Sequence, residues 1–302
     1  MIATGTTITG CDALRSELAG ARARGLRIGF VPTMGALHEG HEALVASSAA
    51  ANDLTVVSIF VNPSQFEDPA DLDAYPRSAE RDVALATAAG AGICFLPTVE
   101  EIYPAGQATT VRVGGPLTAT LEGERRGSAH FDGVCTVLSI LFGLTAPDVA
   151  YFGTKDAQQL QVVRRMVADL RLPLRVEAVE TVRDADGLAL SSRNERLAPG
   201  DRAAALSLSR ALSGVGRAIV DGAVKDAAGA HALGLDLLRR GGSEPEYFAA
   251  VNPETFEQDP DPGPSTLLLC AARVGGVRLI DNMTREFAAQ TGYGFDRGRE
   301  ET

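Results

Sequence analysis

Two histidines three residues apart, placed directly after a short apolar run, are the first chemistry this sequence offers. They lie in Pro32-Thr33-Met34-Gly35-Ala36-Leu37-His38-Glu39-Gly40-His41, and a helical pattern starts at once afterwards. A helix N-terminus presents unpaired N–H groups and a partial positive charge, which suit a phosphate. Gly35 lets the backbone approach a ligand, and Gly40 lets the helix begin close against it. On the first helical turn His38 and His41 face the same way. Two imidazoles there could donate hydrogen bonds to phosphate oxygens as charge builds in a transition state. Pro32, Met34, Ala36, Leu37 and Glu39 complete the loop as candidates for nucleotide contact. The competing use of such a pair is a metal site, but no third His, Cys or acidic ligand stands at useful local spacing. The Walker A pattern GxxxxGK[ST] is absent.

Three further segments carry polar groups at the ends of apolar runs. In Ser58-Ile59-Phe60-Val61-Asn62-Pro63-Ser64-Gln65-Phe66, Asn62 and Gln65 offer amides that can read a hydroxyl or a carboxylate. An Asn-Pro turn whose amides only tie down the loop explains the same residues equally well. In Phe152-Gly153-Thr154-Lys155-Asp156-Ala157-Gln158-Gln159, Asp156 suits a first helical turn and Lys155 can reach phosphates. Gln159 falls one turn on, facing a cleft. In Leu190-Ser191-Ser192-Arg193-Asn194, two hydroxyls and a guanidinium suit a polyphosphate. A polar turn with its arginine on the surface is the competing, less favoured reading of that segment.

These segments need elements to hold them. Residues 26–31 (LRIGFV) and 54–61 (LTVVSIFV) read as buried strands, with 93–96, 149–152 and 174–179 as shorter ones. Helical patterns at 42–52, 78–89, 131–144 and 156–170 alternate with them. Strand, helix, strand at these lengths means βαβ units in a Rossmann-like parallel sheet covered on both faces. A ligand in such a sheet binds outside the carboxyl ends of the strands, where the first three segments fall. After residue 179 the pattern changes. A hairpin is expected around 184–187, then helices at 201–221 and 224–240, strands at 247–251, 266–272 and 277–280, and an irregular loop at 259–265. The expected organisation is α/β. A nucleotide- and substrate-binding domain spans 1–182, and a smaller α+β lid domain spans 183–302, with 297–302 frayed.

Composition bounds the partners. A chain of 302 residues suits two domains, since ~150 residues per domain is a common size. Its net charge of −11 argues against a nucleic-acid partner, though one nucleotide needs only local cations and backbone donors. Four scattered cysteines, without a CxxC pair, fit a reducing cytoplasm better than a disulfide scaffold. No secretion signal is read at the start, and no apolar run is long enough for a membrane span.

Taken in order, PTMGALHEGH, FVNPSQF, FGTKDAQQL and SSRN resemble the pantothenate synthetase (pantoate–β-alanine ligase) family of HxGH nucleotidyltransferases. The later LIDNM, residues 279–283, looks like the family's C-terminal domain, so the resemblance spans nearly the whole chain. It implies that pantoate's carboxylate attacks the α-phosphorus of ATP, giving pantoyl adenylate, which β-alanine then converts to pantothenate and AMP. It implies ATP as substrate with Mg²⁺ carried on its phosphates, no protein-only metal cage, and a homodimer. His41 would assist at the phosphate, with His38, Lys155 and Arg193 as further catalytic residues. Gly153, Thr154, Lys155, Asp156, Val182 and Leu190 would frame the nucleotide, with Ser191, Ser192 and Arg193 on phosphates. Gln65, Gln159, Asn62 and Arg126 would hold pantoate and β-alanine.

This chain departs from the family in two places. Thr154 stands where the family usually has Glu. Arg125-Arg126-Gly127-Ser128-Ala129-His130-Phe131 replaces Arg-Pro-Gly-His-Phe with one more residue and no Pro, and Arg126 is favoured over Arg125 as substrate-facing. Asp82 falls where the family can show acidic residues near the metal. Two other readings stay open: an HxGH enzyme that transfers a nucleotidyl group to a phosphorylated acceptor, and a non-catalytic nucleotide sensor. The first has no need of Gln65 and Gln159 around an uncharged polyol. Retention of both histidines, Lys155 and SSRN speaks against the second.

Overall fold

A computed structural model of the chain describes residues 5–66, 69–73 and 75–293, and the expected frayed tail lies outside them. The chain divides into two compact units, Met1–Thr181 and Val182–Thr302.

The first unit is an α/β layer structure. Its six strands are β1 (Thr6–Ile8), β2 (Ile28–Thr33), β3 (Leu54–Ile59), β4 (Ile93–Phe95), β5 (Val149–Gly153) and β6 (Arg175–Val179). They lie in the order β1-β4-β3-β2-β5-β6, every pair parallel. The chain leaves β2 in one direction through β3 to β4, then returns to place β5 on the other side of β2. That reversal makes β2 and β5 the switch point, where loops diverge and leave a crevice. All six residues of β3 are buried, as expected of an apolar, β-branched strand covered on both faces. One face packs Val31, Val57 and Cys94 against Leu44 and Val45 of the helix Glu39–Ala51 and Ala86 of the helix Ala79–Ala88. On the other face the Phe30 ring meets Phe142 edge-on.

Several element bounds differ from the expected ones. The strand β1 and the helix Cys11–Ala23 are additions to the expected set. A three-residue edge strand has no pattern of its own, and only pairing with β4 defines it. The helix Glu39–Ala51 starts three residues earlier than expected because His38 caps it. The helix expected at 131–144 extends back to Glu122, across a kink at Gly127 with φ +70°.

In the second unit, β7 (Glu244–Val251), β8 (Leu267–Val274) and β9 (Val277–Thr284) form an antiparallel sheet in sequence order. Phe248, Leu268 and Cys270 share a core with Leu208, Leu212 and Val215 of the helix Ser207–Val220 and Leu238 of the helix Ala227–Arg240. The helix expected over 201–221 is interrupted, with a short helical turn Arg202–Ala205 ahead of Ser207. The expected hairpin is a single antiparallel bridge, Arg183 to Ala189, closed by hydrogen bonds from Asp184 N to Leu188 O and from Leu190 N to Val182 O.

Candidate active site

The loops after β3, β2 and β5 emerge side by side, because those strands are neighbours in that order. Thr33 fixes the end of β2: its hydroxyl donates to Ser58 O at 2.7 Å, and its carbonyl accepts from Phe60 N at 3.1 Å. The loop then turns through two residues with positive φ, Gly35 at +84° and Ala36 at +50°. Asp82 holds this turn. Its carboxylate, 1% exposed, accepts from Ala36 N at 3.0 Å and Leu37 N at 2.8 Å. A Cβ at position 35 would sit 3.0 Å from the same carboxylate, so glycine serves both the dihedral and the space.

The helix start is closed by the histidines themselves. Gly40 N donates to His38 Nδ1 at 3.1 Å, and His38 N donates to His41 Nδ1 at 3.3 Å. His41 N donates to His38 O. Because each Nδ1 accepts, each neutral ring must carry its hydrogen on Nε2. The rings lie 4.2 Å apart. Burial pushes the His41 pKa down to about 3; the His38 ring adds to this, Asp156 opposes it, and Lys155 lowers it further. Lys155 and Asp156, from the loop after β5, are therefore near enough for their charges to register on His41.

This geometry corrects the reading of the loop. The amides of Ala36 and Leu37 are taken by Asp82, and Gly40 N is taken by an imidazole, so they are not bare phosphate donors. Leu37 is a core side chain, 1% exposed, and Glu39 is exposed. Gly40 makes room for the His38 ring, whose Cε1 would lie 2.9 Å from an added Cβ. Pro32 lies within β2 and is half-buried, as is Met34. Asp82 acts here as a brace for the loop, both of its oxygens accepting from backbone.

Asn62 caps the turn Pro63–Gln65, and its amide serves the protein rather than a ligand. Its Oδ1 accepts from Ser64 N, Ser64 Oγ and Tyr103 Oη, the last at 2.7 Å, while Nδ2 donates to Gly133 O at 3.2 Å. Gln65, at the end of the turn, is half-buried. The two adjacent glutamines after β5 part company. Gln158 is buried, accepting from Glu122 N and donating to Leu117 O and Thr120 O. Gln159 is half-buried. Gly153 ends β5, and Asp156 stands at the N-cap of the helix Ala157–Asp169 without a side-chain capping bond. Thr154 shares a hydrogen bond with Thr181 at 3.0 Å.

Of the two neighbouring arginines, Arg125 is exposed, whereas Arg126 is half-buried and donates from Nε to Glu122 at 2.7 Å. Arg126 lies beside His130, a residue that sequence reasoning misses. Burial and then the Arg126 charge push the His130 pKa down to about 4, while Nδ1 is 3.0 Å from Gln65 O. The signal lies in the segment Arg125–Phe131, and reading it for its arginines alone overlooks the histidine.

Within the second unit, Ser191 Oγ accepts from Arg193 N and caps the turn Ser192–Arg196. Ser191, Ser192 and Arg193 are all half-buried, as are Val182 and Leu190. The Arg183 side chain, 7% exposed, anchors the preceding segment through two 2.7 Å hydrogen bonds to Asp281 of β9 and one to Asn282 O. Those partners are the central residues of LIDNM. Among the described residues, no group of three or more His, Cys, Asp or Glu is placed to hold a metal ion. No described helix is long and apolar enough to cross a membrane.

Comparison with known proteins identifies the family and the fold. The profile of the family described as pantoate-beta-alanine ligase matches residues 6–284. A pantothenate synthetase of Moorella thermoacetica is 46% identical over 275 residues, covering 91% of this chain and 96% of that one. One from Brucella canis is 46% identical, covering 92% and 94%. The crystal structure of pantothenate synthetase from Thermus thermophilus superposes with a TM-score of 0.86 at 46% identity, covering 93% of this chain and 99% of that one. That of a pantoate-beta-alanine ligase from Francisella tularensis, complexed with beta-gamma ATP and beta-alanine, gives 0.76 at 29% identity, covering 96% and 99%.

Proposed function

The chain belongs to the pantoate–β-alanine ligase family, and from that premise we propose that it joins pantoate to β-alanine at the expense of ATP, giving pantothenate, AMP and pyrophosphate. The observation that carries this reading is the histidine pair. Two neutral imidazoles, each with Nδ1 accepting a backbone amide, sit beside Lys155 at the switch point of a parallel sheet. Their Nε2–H groups are preorganised donors of the kind that stabilise charge spreading over a phosphoryl group.

The pantoate carboxylate attacks the α-phosphorus in line, an oxygen–phosphorus bond forms, and pyrophosphate leaves. The amine of β-alanine then attacks the acyl carbon of pantoyl adenylate, losing a proton, and AMP leaves. A free carboxylate is a poor acyl donor, and adenylation supplies the leaving group. His41, its pKa low before ATP binds, serves as a hydrogen-bond donor, with His38 beside it and Lys155 supplying positive charge. We assign Gln65, Gln159 and Arg126 to pantoate and β-alanine. Gly153, Thr154 and Asp156 are assigned to the nucleotide, together with Met34, Val182 and Leu190. Ser191, Ser192 and Arg193 are assigned to phosphates. Asn62 is assigned to shaping the turn that carries Gln65.

Mg²⁺ enters as part of the substrate, on the phosphates of ATP, whose oxygens are the hard ligands it prefers. The working form is a cytoplasmic homodimer, to be checked by light scattering. The decisive assay is AMP release. It should require pantoate and β-alanine together, and pantoate alone should support exchange of pyrophosphate into ATP. AMP release indifferent to either small substrate would end the ligase reading.

A further inference from the structure

Resting on the ligase reading, we propose that His130 is a positioning residue that sets where Gln65 stands, and so how tightly pantoate is held. Gln65 ends a three-residue turn, too short to fix its own place, and three contacts dock that turn onto the helical stretch at 130–133. His130 Nδ1 meets Gln65 O at 3.0 Å. Asn62 Nδ2 donates to Gly133 O at 3.2 Å. At Gly133, an added Cβ would lie 2.5 Å from Ser64 O, so helix and turn touch backbone to backbone.

A carbonyl only accepts, so the hydrogen must sit on His130 Nδ1. The ring is buried and lies edge-on to Phe131 at 5.3 Å. Its low pKa keeps it neutral near pH 7, with one N–H to give, and the carbonyl of Gln65 takes it. Holding that carbonyl fixes the peptide plane from which the Gln65 side chain departs. Small misplacements of a substrate-holding group cost more binding and rate than the strength of one hydrogen bond suggests.

Isosteres separate this role from simple packing. The amide nitrogen of Asn occupies the place of imidazole Nδ1, whereas that of Gln occupies the place of Nε2. His130→Asn should therefore keep the anchor, while His130→Gln and His130→Leu lose it. With the full-length chain, we expect His130→Gln and His130→Leu to raise KM for pantoate about tenfold, with KM for ATP unchanged and His130→Asn close to the parent. Gly133→Ala, which pushes the same turn from another point, should reproduce the selective rise with His130 intact. The proposal is overturned if pantoate KM is unmoved in His130→Leu and Gly133→Ala. It is equally overturned if His130→Asn is as defective as His130→Gln, or if the ATP KM rises in step. Turnover of pantoate by the parent chain is measured first; its absence would fault the ligase reading itself, separately from this one.

Discussion

His38 and His41 carry the donors of a helix start outward by the width of a ring. The amide hydrogens of Gly40 and His38 end on Nδ1 atoms, and each ring's own hydrogen is displaced to Nε2. A phosphate brought near His41 must favour the imidazolium, so its pKa should climb from about 3 when ATP binds. NMR titration of the ring with and without ATP checks this, and a pKa that stays put would remove His41 from the phosphates. Asp82 has the opposite task, accepting two amides at once. Asn in its place would turn an N–H toward one of those N–H groups, leaving a buried donor unmatched at about 1–3 kcal/mol. Asp82→Asn should raise KM for ATP by about tenfold or more with little change for pantoate, as initial-rate kinetics would report. At this scale the sequence identified types but not duties. Nothing in FVNPSQF shows that Asn62 is taken up in holding the turn while Gln65 stays half-buried, and nothing in DAQQL shows that Gln158 is tied to Glu122, Leu117 and Thr120. Each assignment depends on partners far away in the chain, such as Gly133 and Glu122.

Elements were more legible than duties, where pattern alone decides. The buried strands β2, β3 and β5 are predominantly apolar, and the helix Ala157–Asp169 buries Leu160, Val163 and Val167 at helical spacing. The strand β1 is fixed by its neighbour, and the helix Glu122–Thr145 bends at Gly127, so that periodicity reveals only its second half. In the second unit one buried ion pair ties the bridge at Arg183 to β9. Burial opposes the Arg183 charge, but Asp281 more than offsets it and the pKa ends up raised. Arg183→Met leaves Asp281 buried without its partner and should destabilise the second unit by about 3–5 kcal/mol. Arg183→Met with Asp281→Leu should recover most of that loss. Urea unfolding of the three proteins measures it, and a double variant no better than the single one would mean the pair is not the cause.

For the whole molecule, the buried histidines predict how stability follows pH. His41 and His130 titrate at about 3 and about 4 when folded, against roughly 6.5 for an unperturbed imidazole. Between those values the unfolded chain binds more protons, so stability is complete above about pH 6.5 and falls as pH drops toward the folded values. The loss is at most about 1.4 kcal/mol per pH unit for each histidine in that window. Melting curves from pH 7 to 4.5 should show the decline, and His41→Gln combined with His130→Asn should flatten it; an equal decline in that variant would assign the effect to carboxylates. The sequence by itself determined the alternating α/β class, the change of pattern in the later half, and the family, together with the motifs that identify it. It could do so because strand and helix periods are local and the motifs are contiguous. Only the tertiary structure decided that β2 and β5 are neighbours, that Asp82 braces the loop after β2, and that His38 and His41 cap their own helix. It also decided that His130 reaches Gln65. These are contacts between residues tens of positions apart or between atoms of one ring and one amide, and side-chain type and local spacing do not encode them.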